Sequence, residues 1–469
     1  MRVSLTMIVR NEEANLVDCL RSVAGLVDEI VVVDTGSSDR TREVAASFGA
    51  AVWEFPWCDD FAAARNESLR RATGDWVFWM DADDRLDADN RDRFRRLRGE
   101  LVAGTAYVMK CVSPISGGDA AEQNHVRLFQ KRPGLTWEFR VHEQILPGLR
   151  RLGDRIQLTD VIITHLGYEG GGRSPEKLER NLRLLLRDLD DHPEHPFVLD
   201  NLGRTCFALG RLPEAIAYLR RALRVHPDPA TAVEIVGFLL RAHRALGELP
   251  AAQALCQAAR QRFPASAELQ LQEGILALEA GNLSRAEVCL RSLAADAGPG
   301  RTPGQRETAW LYWARLERRR GRFAEAEAWL RSLVSVRPEW SDAWMELADL
   351  WLGLGRPAEL ETAARQLESS PRTLPLAFVL RARLHLQRGD WAAARQLASD
   401  AIALAPRALL PRIVLSHALL LEGKDFAAAE QALRDILAID PLNAAARHNL
   451  AELLKPLSPS DPGTVSHAP

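Results

Sequence analysis

The chain has 469 residues, of which 47% are hydrophobic and 26% charged, and its formal net charge is −3. A chain of this length exceeds what one hydrophobic core organises, so we expect two or three domains. A net charge this close to zero gives no reason to expect nucleic-acid binding. The sequence also contains no apolar run of about 20 residues, which argues against a transmembrane segment.

The N-terminus, MRVSLTMIVRNEE, reaches a charge at Arg10 and lacks the apolar region of a signal peptide. The six cysteines are scattered and form no CxxC pair, so neither a zinc site nor a disulfide framework is indicated. We therefore expect a reduced cytoplasmic protein. Peripheral attachment at the inner face of the membrane stays open as an alternative.

Up to about residue 170, short apolar runs alternate with amphipathic stretches. The runs are typical of buried parallel strands, and the stretch at 60–74 is typical of a helix that ends at a glycine. This alternation predicts an α/β domain with a Rossmann-like, mostly parallel sheet covered by helices. The four runs are VSLTMIV (3–9), EIVVVD (29–34), AVWEF (51–55) and DWVFWM (75–80).

Three polar residues follow predicted strands directly. Asn11, Asp34 and Asp81 lie at or just past strand ends, where parallel sheets bind ligands. The last of them begins a group with Asp83 and Asp84, whose carboxylates repel one another. This group is either a solvated turn or a site for a positive partner.

Each candidate residue also has an ordinary interpretation. Asn11 could cap the following helix, Asp34 could be a turn carboxylate, and Arg65 could be an exposed helix arginine. Isolated DxD triplets are common as well. However, these residues occur in order and near strand ends, with the spacing of one nucleotide site, and this combination favours a functional site.

From about residue 176 the strands stop and a repeat begins. Glycines recur with four of six spacings equal to 34, at Gly210, Gly247, Gly281, Gly321, Gly355, Gly389 and Gly423. An alanine often follows five residues later, and a proline 17 residues later. This pattern resembles the tetratricopeptide repeat, with about seven copies forming an all-α solenoid. We expect a first domain at 1–172, a linker helix at 173–195, the repeats at 196–442, a capping helix at 443–455 and a disordered tail at 456–469.

The first 170 residues resemble the family 2 glycosyltransferases of GT-A fold. The segments that carry this resemblance are SLTMIVRNEEANLVDCLRSV, EIVVVDTGSSDRT, AARNESLRRATGDWVFWMDADD, RLFQK and VHEQI. Their combination with C-terminal repeats is similar to bacterial peptide S-glycosyltransferases. The first half is also similar to lipopolysaccharide core glucosyltransferases.

The resemblance implies a role for each matching residue. The turn of Val9, Arg10, Asn11 and Glu12, together with Asp34, would hold the base and ribose of a nucleotide sugar. Arg65 would approach the diphosphate, and Asp81 would accept from the ribose or bind a metal through water. Asp83 would bind Mn²⁺ or Mg²⁺ directly, whereas Asp84 is left without an assigned role.

Two further assignments come from the same resemblance. His165 would be an additional metal ligand, and Glu143 would be the catalytic base that deprotonates the acceptor. The neighbouring His142 is expected to orient Glu143. Trp137 could stack on a sugar, although core packing is the more common fate of a tryptophan.

These features together indicate an inverting, metal-dependent glycosyltransferase that uses a nucleotide sugar, expected to be a UDP-sugar. The repeats would position a peptide, protein or glycan acceptor, or form a homo-oligomer. One alternative is a catalytically inactive interaction scaffold, although all its carboxylates are present. A nucleotidyltransferase is the third reading, and IVRNEE lacks the Gly-rich basic loop usual for that class.

Overall fold

The computed structural model describes residues 1–114, 120–167, 174–226, 228–295 and 303–455. The chain divides into two units, Met1–Val198 and Leu199–Pro469. Within the described ranges, no helix has both the length and the apolar character needed to cross a bilayer.

The first unit is built on one eight-stranded sheet. Its strands are β1 (Val3–Val9), β2 (Glu29–Asp34), β3 (Ala51–Glu54), β4 (Trp76–Trp79), β5 (Asp84–Arg85), β6 (Thr105–Pro114), β7 (Ala120–Gln130) and β8 (Arg155–His165). Their spatial order is β3-β2-β1-β4-β7-β6-β8-β5. The first four strands run parallel, as predicted, whereas β7 is antiparallel to both β4 and β6, and β5 is antiparallel to β8. The sheet is therefore mixed.

Helices cover this sheet on both faces. They are α1 (Glu13–Val23), α2 (Thr41–Ser47), α3 (Phe61–Arg71), α4 (Ala88–Gly99), α5 (Leu146–Arg151) and α6 (Pro175–Asp191). Alternate residues of β1 enter one core, where Leu5 and Met7 pack with Leu16 of α1. Val77 and Trp79 of β4 enter a second core with Phe129 of β7. Burial on both faces explains why the parallel strands read as continuous apolar runs.

The described part of the second unit is built from helices, the first of which begins three residues before the unit. They are α7 (Pro196–Ala208), α8 (Leu212–Val225), α9 (Pro229–Ala245), α10 (Leu249–Arg262), α11 (Ala267–Glu279), α12 (Leu283–Ala295), α13 (Pro303–Arg319), α14 (Phe323–Val336), α15 (Ser341–Gly353), α16 (Pro357–Leu367), α17 (Leu374–Gln387), α18 (Trp391–Leu404), α19 (Leu409–Glu422), α20 (Phe426–Ile439) and α21 (Ala444–Leu453). From α7 to α20 they form seven pairs in the described part of the chain.

Each of the seven repeating glycines lies in the turn inside one helix pair and has a φ between 67° and 76°. This left-handed conformation is available to glycine at little cost, which explains the repeat. Inside the pairs, glycine also permits close packing. A Cβ at Gly203 of α7 would lie 2.4 Å from Leu219 Cγ of α8.

The expected linker helix corresponds to α6, which belongs to the first unit. The expected capping helix corresponds to α21. The tail at 456–469, for which we expected disorder, lies outside the described residues.

Candidate active site

The turn Asp81–Asp84 follows β4 and leads directly into β5. Because β5 pairs with the end of β8, Asp84 lies opposite His165 in the sheet register. The side chains of Asp81, Asp83, Asp84 and His165 each offer a ligand atom, and these atoms all lie within 4.8 Å of one another. The fold therefore gathers the acidic group and His165, which lies 81 residues after Asp84, into one cluster.

Asp84 is fully buried and holds this cluster together. Its Oδ1 atom lies 2.9 Å from Nδ1 of His165, and its Oδ2 atom accepts from Nη1 of Arg127 at 2.8 Å. The same Oδ2 accepts from the backbone N–H of Asp81 at 2.8 Å. With these partners, Asp84 acts as an internal support for its neighbours.

Asp81 and Glu143 share one buried arginine. Arg65 of α3 donates from Nη2 to Asp81 Oδ1 at 2.9 Å and from Nε to Glu143 Oε1 at 2.6 Å. We expected Arg65 to approach a diphosphate. In the structure it is paired with two carboxylates instead, and it fixes Glu143 beside the acidic turn.

The indole of Trp79 contacts two buried cations. Arg65 Cζ lies 4.2 Å from its ring centroid and Arg127 Cζ lies 3.7 Å from it. Cations are attracted to the faces of indole rings, so Trp79 helps to hold both arginines in place. Arg127 lies in the segment RLFQK, which contributes to the family resemblance, but the sequence alone assigns it no role. Only the folded sheet brings this residue next to Asp84.

The carboxylates of the cluster have different proton affinities. Burial opposes the ionisation of Asp81, but Arg65 and Arg127 hold its pKa at about 2. Burial raises the pKa of Asp83 to about 6, and Asp81 and Asp84 add to this effect although His165 opposes it. Asp83 is thus the carboxylate of this turn that lacks enough compensating positive charge.

The cluster fits a divalent cation. A Cβ atom at Gly167 would lie 2.3 Å from Asp83 Oδ2 and 2.7 Å from His165 Nε2, so the glycine leaves space beside both potential ligand atoms. Carboxylate oxygens with one imidazole nitrogen suit Mn²⁺ and, through the oxygens, Mg²⁺. Asp83 and His165 could therefore each offer a ligand atom to a metal.

Glu143 lies in a short closed loop. Glu138 and Gln144 exchange two backbone hydrogen bonds, each 2.9 Å long, and close this loop. Within it, Phe139 and His142 have φ values of 69° and 56°. Such left-handed conformations are unfavourable for bulky residues and often mark functional sites.

Two cavities meet at these residues. The first cavity measures about 580 Å³, and its lining includes Val9, Arg10, Glu12, Asp83 and residues of α6. The second cavity measures about 410 Å³, and polar side chains including Ser113, Gln123, Asn124 and Gln144 line it. Both cavities share one wall, formed by Arg65, Asp81, His142, Glu143 and His165.

Asn11 and Asp34, which were predicted at strand ends, form hydrogen bonds to residues of a turn. Asn11, with a φ of 56°, accepts from the backbone N–H of Ser38 at 2.8 Å, so its side chain joins two turns instead of capping α1. Asp34 is buried and accepts from the backbone N–H of Ser37 at 3.0 Å. Neither residue is part of the lining of the first cavity.

Trp137 follows its ordinary interpretation. It is 6% exposed and packs in the second core, with its ring centroid 5.2 Å from that of Trp79. Sequence reasoning also missed Lys177 and Arg180 of α6, which line the first cavity. Their position in an apparent linker gave no signal of this placement.

Residues 4–156 match the family described as Glycosyl transferase family 2. Four later stretches match tetratricopeptide-repeat families, at residues 196–229, 239–301, 307–350 and 379–444. These matches cover the two kinds of architecture that the structure shows.

Individual relatives match parts of the chain. A TPR repeat-containing protein of Synechococcus elongatus is 35% identical over 270 residues, which cover 55% of this chain and 66% of that protein. Glycosyltransferase SunS of Bacillus subtilis is 25% identical over 232 residues, covering 47% and 53%. An uncharacterized glycosyltransferase of Rickettsia typhi is 33% identical over 91 residues, covering 19% and 31%. Thus this chain spans at most about two thirds of the length of these relatives. On these matches, the chain carries a family 2 glycosyltransferase domain followed by tetratricopeptide repeats.

Proposed function

We propose that this protein is an inverting, metal-dependent glycosyltransferase that uses a nucleotide-diphosphate sugar, specifically a UDP-sugar. The observation that carries the proposal is the shared wall between the two cavities, where Glu143 and the acidic turn lie together. One cavity can take the nucleotide while the other takes a reacting partner.

Glu143 is the proposed base. Its Oε1 atom is held by Arg65, and no described residue donates a hydrogen bond to Oε2. In the reaction, Glu143 takes the proton from an acceptor hydroxyl or thiol as that atom bonds to the anomeric carbon. The bond from this carbon to the diphosphate breaks at the same time. The configuration of the anomeric carbon therefore inverts, and the nucleoside diphosphate leaves.

The acidic turn prepares the site for the donor. Asp83 and His165 would hold Mn²⁺ or Mg²⁺, which when bound would neutralise charge on the leaving diphosphate. Asp81, fixed by Arg65, would accept from the ribose hydroxyls. Val9, Arg10 and Glu12 border the first cavity and would contact the base, whereas Asn11 and Asp34 would shape the backbone beside the cavity.

The repeats would position the acceptor, for which we propose a peptide, a protein or a glycan. Solenoids of this type present extended surfaces to such partners. As an alternative, the repeats would form a homo-oligomer.

The test begins with donor turnover. Purified protein with Mn²⁺ should bind and slowly hydrolyse one of the common UDP- or GDP-sugars, and Asp83→Ala should abolish that turnover with the helical content unchanged by circular dichroism. Failure to bind or hydrolyse any of these donors would sink the proposal and leave the scaffold function. An acceptor screen read by mass spectrometry would then distinguish peptides from glycans.

A further inference from the structure

Helix α6 carries four cations on one side. Lys177, Arg180, Arg183 and Arg187 are spaced by three, three and four residues, which places them along one face of a helix. Two of them share one carboxylate, because Asp59 lies 3.2 Å from Arg183 and 3.9 Å from Arg187. The other two line the first cavity.

Lys177 and Arg180 form no ion pair with any acid in the described part of the chain. Arg180 donates to Asn181 Oδ1 at 3.1 Å, and its Cζ lies 5.1 Å from the ring centroid of Phe61. Burial and the nearby charge of Arg183 lower the pKa of Arg180, although Asp59 opposes this shift. The guanidinium thus lies in a cavity wall, and its positive charge is not compensated there.

The position of α6 is fixed by the loops that border the same cavity. Asp188 of α6 is buried and accepts from the backbone N–H of Arg140 at 3.0 Å and from its Nη1 at 2.9 Å. Arg140 belongs to the loop that carries Glu143. Since Arg183 binds Asp59 just before α3, both neighbouring loops hold α6 in place.

The other buried arginines of the site are already occupied. Arg65 serves Asp81 and Glu143, and Arg127 serves Asp84. Of the arginines and lysines that line the first cavity in the described residues, Arg10, Lys177 and Arg180 have no acidic partner. Arg10 lies in the exposed turn after β1, which leaves α6 as the element that offers two such cations together.

We propose that Lys177 and Arg180 bind the diphosphate of the nucleotide donor, so that α6 completes the donor site. This inference rests on the proposed function. A diphosphate carries the negative charge that these cations lack, and a guanidinium can bind two phosphate oxygens at once. Helix α6 lies beyond residues 4–156, the part that matches the transferase family, so the site uses a helix from outside that segment.

The test compares ligands that differ only in phosphate. Calorimetry in EDTA measures the affinity of UDP, UMP and uridine for the wild type and for the double variant Lys177→Gln/Arg180→Gln. We expect UDP affinity to fall about tenfold or more, since the double variant removes two cationic hydrogen-bond donors to the diphosphate. Uridine affinity should not change. Arg187→Gln, on the same helix but outside the cavity, should bind all three ligands as the wild type does.

Three outcomes would overturn the inference. Wild-type affinity of the double variant for UDP, or an equal loss of UDP and uridine binding, removes α6 from the donor site and leaves the transferase proposal standing. A wild-type protein that binds neither UDP nor GDP, even with Mn²⁺, overturns both proposals. Thermal unfolding of the double variant at the wild-type temperature verifies that any lost affinity reflects the removed charges.

Discussion

Oδ1 of Asp84 lies 2.9 Å from Nδ1 of His165, and this contact directs the Nε2 side of the imidazole toward the space beside Gly167. An ionised carboxylate only accepts hydrogen bonds, so Nδ1 carries the hydrogen and Nε2 is the nitrogen suited to a metal. Asp84, which has no role assigned from sequence alone, therefore orients the proposed ligand.

Replacing Asp84 tests this support. Asp84→Asn should weaken Mn²⁺ binding by about 10- to 100-fold, the usual effect of losing a partner of a ligating histidine. It should also destabilise the fold by about 3 kcal/mol or more, because Arg127 loses its closest acid in a buried position. Calorimetry and thermal unfolding measure the two effects. Unchanged Mn²⁺ affinity in a folded Asp84→Asn protein would contradict the orienting role.

We expect ionisation of Asp83 to lower the free energy of unfolding as the pH rises. Its folded-state pKa of about 6 exceeds the ordinary 3.8, so the folded chain holds this proton more tightly than the unfolded chain. Stability should therefore fall as the pH rises from about 4 to about 6, by about 2 kcal/mol.

The variant Asp83→Asn removes this cost. Without metal, in EDTA, it should unfold at a higher temperature than the wild type at pH 8, and the difference should vanish near pH 4. Saturating Mn²⁺ should stabilise the wild type and not the variant, because only the wild type retains the ligand. A variant that is less stable at pH 8 in EDTA would contradict the uncompensated charge.

A side chain at position 167 should interfere sterically with the proposed metal site. A Cβ there would lie 2.3 Å from Asp83 Oδ2, so Gly167→Ala should reduce Mn²⁺ affinity by about tenfold or more, since ligand distances tolerate changes of only about 0.2 Å. Gly99→Ala is the matched control, because a Cβ at Gly99 meets no atom within 4 Å. Equal Mn²⁺ affinity in the two variants would show that the space beside Gly167 is not used.

Glu143→Gln tests the proposed base. Turnover should fall by about 100-fold or more, while the affinity for UDP stays the same, because the general base acts on the acceptor. Glu138→Gln changes an acid in the same loop whose partner is Arg151, and it should retain activity. A large loss of UDP affinity in Glu143→Gln would instead indicate a binding role for this carboxylate.

Local pattern was sufficient for much of the fold. The runs at 3–9 and 29–34 coincide with β1 and β2, because strands buried on both faces leave a continuous apolar signal. The glycine repeat located the turn of every helix pair, since its cause is a single backbone conformation. The antiparallel β6–β7 pair was not predicted, although its strands are neighbours in the chain, because the polar residues of AAEQNHVRLFQ interrupt the apolar pattern.

The site was predictable as a group of residues but not as a network. Asp81 and Asp83 were placed together because they are neighbours in the chain. The pairing of Arg65 with Glu143, 78 residues apart, depends on how α3 and a distant loop meet. For Asp34 the ordinary interpretation describes its contacts, since its carboxylate binds the amides of its own turn.

The contacts that hold α6 show that the first folding unit is longer than the segment that matches the transferase family. The match to the transferase family ends at residue 156, whereas the first unit continues to Val198 and includes a helix whose Asp188 holds the loop of Glu143. A chimaera that joined residues 1–156 to foreign repeats would lack Asp188, whose hydrogen bonds to Arg140 hold that loop. Foreign repeats should therefore be joined to the chain after α6, so that this helix is retained together with the sheet.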